Sequence, residues 1–246
     1  PSKFRLARRR ARLQASCVMR ALLLLSLHAF VGASLAGAQQ TAARLPFGIG
    51  EALDYSVHIT VGGNVGNGQM RIEGPVVDGD VTTWRLVFDM RAARGPIRAT
   101  DRTVSWLDPR LFRITRFEKT ERHPLSRSEE KVTILQAENR WQDDVENRTQ
   151  ALGSQAPLDE LSFIYFLRTI PLNRDTTFEV SRHFDATRNP TVVRVMGEEL
   201  VETPVGIFRT RIVEMDVRDP KRYRGTGTVR LNIDIAECRV PVRIVS

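Results

Sequence analysis

Three histidines outside the first forty residues are the side chains best suited to acid–base or metal chemistry: His58, His123 and His183. A metal site needs ligands that converge, and two histidines on one helix do so at short, fixed spacings such as H-x-x-x-H. None of the three has such a partner. His58 falls on the polar side of an alternating stretch, and His123 precedes Pro124 in an expected loop, so both read as ordinary residues. The G-x-S-x-G elbow that exposes a nucleophilic serine is absent. A triad is defined by geometry, so a dispersed one stays open. Acidic pairs occur at Glu129-Glu130, Asp143-Asp144 and Glu198-Glu199. Adjacent strand residues point to opposite faces, so none of these is a two-carboxylate site by itself. Asn147-Arg148-Thr149 has the form of a glycosylation sequon. The sequence therefore assigns no catalytic, cofactor-binding or metal-binding residue.

The elements that would position such groups are mostly strands. Tyr55, Val57, Ile59 and Val61 alternate with Ser56, His58 and Thr60, the period-2 mark of a half-buried strand. Trp84, Leu86, Phe88 and Met90 repeat it, as do Val229 to Ile235 and Val240 to Ile244. Weaker strand patterns lie at 68–73, 97–106, 111–119, 129–136, 176–183, 191–196 and 207–217. Pro241 has no N–H for a ladder, which predicts an edge or bulged last strand. Gly62 to Gly68 joins two strands; no helix pattern and no Lys-Ser/Thr pair follows, so it is no phosphate loop. Asp78-Gly79-Asp80, Leu107 to Arg110 and Thr203 to Gly206 read as turns. The polar stretch Gln142–Gln155 reads as a flexible loop.

One segment breaks this rhythm. Pro157 to Ile170 has acids early, Arg168 late and Pro171 as a stop, which predicts a helix over 157–170. Its centre, Phe163-Ile164-Tyr165-Phe166-Leu167, is apolar nearly all round and belongs in an interior. Phe163, Tyr165 and Phe166 point in different directions. Either strands wrap them into a sealed core, or one of them contacts an apolar ligand. The expected fold is mostly β, an antiparallel sandwich or a flattened, open barrel with one central helix.

Residues 1–38 read as a secretory signal. They carry seven basic residues and no acid, then the apolar run Ala21–Val31, then Ala36-Gly37-Ala38. The run is shorter than the ~20 apolar residues a spanning helix needs, so cleavage is expected, leaving no membrane span. A start at Met19 would give a compact signal and make residues 1–18 an upstream extension. Residues 39–246 would form one exported domain, periplasmic or extracellular. The whole chain has 37 basic and 29 acidic residues. Without the seven leader cations it is nearly neutral, so nucleic acid is not an expected partner. Cys17 lies in the leader and leaves Cys238 as a packed thiol.

Phe47-Gly48-Ile49-Gly50-Glu51-Ala52-Leu53-Asp54-Tyr55, Ser105-Trp106-Leu107-Asp108-Pro109, Val201-Glu202-Thr203-Pro204-Val205-Gly206 and Arg239-Val240-Pro241-Val242-Arg243 occur in that order. With them, residues 45–246 resemble an exported bacterial family catalogued as domain of unknown function 3108. The resemblance implies export and a β-rich fold, and brings no activity, cofactor or catalytic residue. The leading expectation is a non-enzymatic envelope protein that binds or assembles, with a lipid or an envelope protein as partner. A hydrolase with an unrecognised site is the alternative, marked by a deep pocket where histidine, acid and hydroxyl converge. N-terminal sequencing of the exported protein should read from Gln39; a mature protein that keeps the leucine run would refute the leader.

Overall fold

The computed structural model describes residues 2–11, 45–59, 63–218 and 226–246. Met19, Cys17, the apolar run and Ala36–Ala38 lie outside them. The strands are β1 (Ser2–Ala11), β2 (Glu51–Ile59), β3 (Gly63–Asp78), β4 (Val81–Arg94), β5 (Ile97–Asp108), β6 (Arg113–His123), β7 (Ser126–Leu135), β8 (Arg140–Asp143), β9 (Arg148–Ala151), β10 (Thr176–Val180), β11 (Thr191–Thr203), β12 (Gly206–Arg218), β13 (Thr226–Asp234) and β14 (Pro241–Val245). One helix, α1 (Glu160–Leu167), follows β9. The strands form a single antiparallel sheet in the order β10-β11-β12-β13-β14-β1-β2-β3-β4-β5-β6-β7-β8-β9. Among the described residues the fold is thus mostly β with one α-helix, and their sheet is not closed into a barrel.

Period-2 patterning sets the register. In β2, Glu51, Leu53, Tyr55 and Val57 are buried and alternate with half-buried residues. Leu86 of β4, Leu231 and Ile233 of β13, and Val242 and Ile244 of β14 share the same core. The two ends of the sheet are stitched by the segments that flank α1. Leu158 N–H donates to the Arg182 carbonyl at 2.6 Å and Gly153 N–H to the Phe184 carbonyl at 2.7 Å. Gly153 is needed there: a Cβ would meet Ala186 N at 2.7 Å.

Several expectations are revised. Gln142–Gln155 is not simply a loop: it contains the end of β8 and all of β9, a short hairpin that buries Trp141. The pattern is too brief to stand out, and Trp141 against Phe184, 5.2 Å apart, holds it. Pro241 does sit at a register shift, between Asn232 and Ile233 of its partner. Its strand is nevertheless internal, because β1 covers its other side. β1 is formed by residues 2–11, the first part of the expected leader. The helix is shorter than 157–170, since Asp159 caps it and Arg168 ends it. Cys238 is buried but is not a free thiol.

A buried ion pair fixes the helix in place. Arg168 donates two hydrogen bonds to Glu51, at 2.7 and 2.9 Å, and a third to the Cys238 carbonyl at 2.9 Å. Burial opposes the charge on Arg168, but Glu51 beside it holds the guanidinium above its ordinary value. The cation also lies 4.7 Å over the Phe47 ring and 5.3 Å from that of Tyr165. Removing one partner strands the other charge in the interior. Glu51→Ala should therefore cost about 3–5 kcal/mol in urea unfolding, while Glu51→Leu combined with Arg168→Met should recover most of that loss. Equal costs for the single and double variants would show that the pairing contributes nothing beyond packing.

Candidate functional site: an apolar cavity with a polar patch

One face of the sheet and α1 line a half-open cavity of about 410 Å³. Its walls are apolar on both sides of β1. Val57, Phe88 and Met90 stand on one side; Met215, Val229 and Ile244 stand on the other. Phe4 of β1 bridges them, edge-on to Phe88 at 5.7 Å. The helix contributes Leu161 and Ile164.

One sector of this wall is polar. Asp101 and Thr103 on β5 face the same way because they are two residues apart. Lys119, Glu121 and His123 on β6 do likewise, and the register sets Thr103 opposite Lys119 and Asp101 opposite Glu121. All five reach the cavity, joined by Glu160 from the helix. His123 Nε2 lies 2.6 Å from Asp101 Oδ1, and Lys119 Nζ lies 3.4 Å from Glu121 Oε1. Glu160 pairs with Arg188. Burial alone would raise the Glu160 pKa, yet Lys119, Arg188 and His183 hold it well below the usual carboxylate range. The patch thus sets three acids, Asp101, Glu121 and Glu160, beside one lysine and a histidine over two strands and the helix start.

The sequence placed these groups unevenly. His123 was expected in a loop; it closes β6 and enters the cavity. The spacing of Phe117, Lys119, Glu121 and His123 carried that signal, but charged residues on an inward face look like a solvent face in sequence. His58 bonds Ser56 at 3.0 Å and stays outside the cavity. His183 is held to about 4 by burial, partly offset by Glu160, and lies on Phe184 at 4.4 Å. The expected contacts Phe163, Tyr165 and Phe166 do not line the cavity. They join an aromatic cluster, with Tyr165 5.0 Å from Phe47, Phe166 6.0 Å from Phe112 and Phe163 5.7 Å from Phe166. Ser128 and Lys131 match an S-x-x-K spacing, but residues three apart on β7 point to opposite faces, and Lys131 pairs with Glu129 at 2.8 Å. Among the described residues, no group of three His, Cys, Asp or Glu is placed to hold a metal. None of their helices is long and apolar enough to cross a membrane.

Residues 54–246, from the middle of β2 through β14, match the family described as protein of unknown function (DUF3108). The chain belongs to the DUF3108 family. The match includes every polar residue of the cavity and excludes β1. No curated protein and no solved structure matches the chain.

The helix start holds the polar patch in register. Asp159 Oδ1 accepts from the backbone N–H groups of Leu161 and Ser162 at 2.8 and 3.0 Å, and from Ser105 Oγ at 2.8 Å. Burial pushes its carboxyl up to about 7, against the pull of those donors. A folded-state value above the unfolded one means that its contribution is greatest near pH 4 and is lost as the pH rises through 7. Asp159→Asn keeps an acceptor at the cap but does not titrate. Its stability relative to wild type should therefore rise between pH 4 and pH 8 in urea unfolding. Asp159→Ala should cost about 1–2 kcal/mol through the lost cap. A flat difference between wild type and the Asn variant across that range would count against a titrating Asp159.

Proposed function

We propose that this is an exported envelope protein that holds an amphipathic ligand, without chemical change, in the cavity between the sheet and α1. The cavity carries this reading. Its volume lies within the ~300–1,000 Å³ of small-molecule sites, and its make-up is theirs: mainly apolar walls with a few polar groups that fix orientation. An apolar chain would lie along Phe88, Met90, Met215 and Ile244. A polar end would meet Asp101, Lys119, Glu121 and His123. A lipid of the envelope has this chemistry, and export through the expected leader would bring the protein to it. The near-neutral charge after leader removal argues against nucleic acid as a partner.

A hydrolytic reading draws on one observation, the Asp101–His123 contact with the Thr103 hydroxyl on the same wall. An aspartate that orients a histidine is part of an acid–base relay.

One experiment separates these readings. The protein is purified natively from the envelope and its bound molecules are identified by mass spectrometry, and a fluorescent fatty-acid analogue is titrated into wild type and Ile164→Trp. Binding should weaken at least tenfold in the variant, about 1.4 kcal/mol, with its urea midpoint unchanged. Identical affinities would remove the cavity as the site. An ester analogue should be recovered intact; turnover lost in His123→Ala would transfer the assignment to the hydrolase.

A further inference from the structure

β1 occupies an unusual place. It lies between β2 and β14, which are not otherwise hydrogen-bonded to each other, so the sheet is continuous there only through it. It pairs with β2 from Ser2 opposite Ile59 to Ala11 opposite Glu51. With β14 it makes a much shorter ladder, from Lys3 opposite Val245 to Arg5 opposite Arg243. Two side chains enter the interior. Leu6 is fully buried, and Phe4 packs on Phe88 and beside Gly68, where a Cβ would lie 3.4 Å from its ring.

The rest of β1 suits a central strand poorly. Five of its ten residues are basic. Arg5 stands directly opposite Arg243, and like charges across a ladder are destabilising. Arg243 is already paired with Glu199 and Asn232. The register also breaks between Leu6 and Arg8. β1 lies outside the residues that match the family, whereas β14 and most of β2 lie inside them. The domain therefore supplies both walls of a strand-wide slot, and a segment outside the matched domain fills it.

We propose that the position between β2 and β14 is a strand-acceptor site, held by β1 in the uncleaved chain and afterwards by an extended segment of another envelope protein. This rests on the leader reading only for the vacancy: removal of residues 1–38 would take β1 away. The vacated slot exposes the backbone N–H and C=O groups of two antiparallel edges, a template for one added strand. Main-chain hydrogen bonds would hold the segment. Specificity would come from two apolar side chains, two residues apart, in the places of Phe4 and Leu6. The alternate side chains face outward.

The test uses the uncleaved chain, so it is independent of whether the leader is removed. Phe4→Asp with Leu6→Asp, and separately Arg5→Pro, should expel β1 from the slot. A fluorescein-labelled peptide of residues 2–11 is then titrated into each variant and into wild type. The emptied variants should bind it at least tenfold more tightly than wild type, whose own strand competes at high effective concentration. A peptide with serine in place of Phe4 and Leu6, all charges kept, should bind at least tenfold more weakly. Folded variants that ignore the peptide overturn the proposal. So do variants that bind both peptides alike, which shows cationic adhesion only, and variants that instead pair with a second copy. If neither variant folds, hydrogen exchange on wild type decides: β1 amides should exchange much faster than those of β4, and equal protection makes β1 a fixed core strand. N-terminal sequencing of the exported protein reads the leader separately.

Discussion

The buried pair between Glu51 and Arg168 is the constraint on which the arrangement turns. It joins the first residue of β2 to the C-terminal cap of α1, with the Cys238 carbonyl as a third point. Such a pair is costly to bury, and full hydrogen bonding is what makes it tolerable. Here the bidentate geometry and the rings of Phe47 and Tyr165 meet that condition. With one end of the helix tied this way and the other capped by Asp159 against Ser105, α1 has little freedom to slide. Its Leu161 and Ile164 therefore present a fixed wall to the cavity, while its aromatic residues fill the opposite space.

The outer face of the sheet is built on a different principle. Val87 and Val104 alternate with inward-facing residues, yet both are buried. Long charged side chains cover that face. Arg71 and Arg102 converge on Asp89, and Arg116 lies over Trp106 at 4.8 Å. An antiparallel sheet can leave its outer face to water, but here the aliphatic stems of arginines cover part of it. This is one reason a domain so rich in strands carries so many charges.

What could be read from sequence followed from period and punctuation. Alternation in Tyr55–Ile59 and Trp84–Met90 located β2 and β4, and Pro171 with the early acids located the helix to within a few residues of each end. Short or polar elements escaped. Arg140–Asp143 is only four residues long, and its stability comes from Trp141 meeting Phe184 far along the chain. The cavity escaped for a related reason. Its polar wall is made of residues whose alternation was visible but whose inward direction depends on which strands neighbour β5 and β6. On α1, Ile164 and Leu161 line the cavity, while Phe163, Tyr165 and Phe166 pack into the aromatic cluster; a helix apolar nearly all round gives no sign in sequence of which side meets a cavity.

The polar sector has a further consequence for how such a domain can diversify. Asp101, Thr103, Lys119, Glu121 and His123 occupy neighbouring points of a grid fixed by the backbone ladder, not by loops. Substituting one side chain on that grid leaves the main-chain hydrogen bonds of β5 and β6 intact. Chemical preference can thus drift point by point while the frame stays constant, and two members of this family with the same strands can have cavities of quite different character.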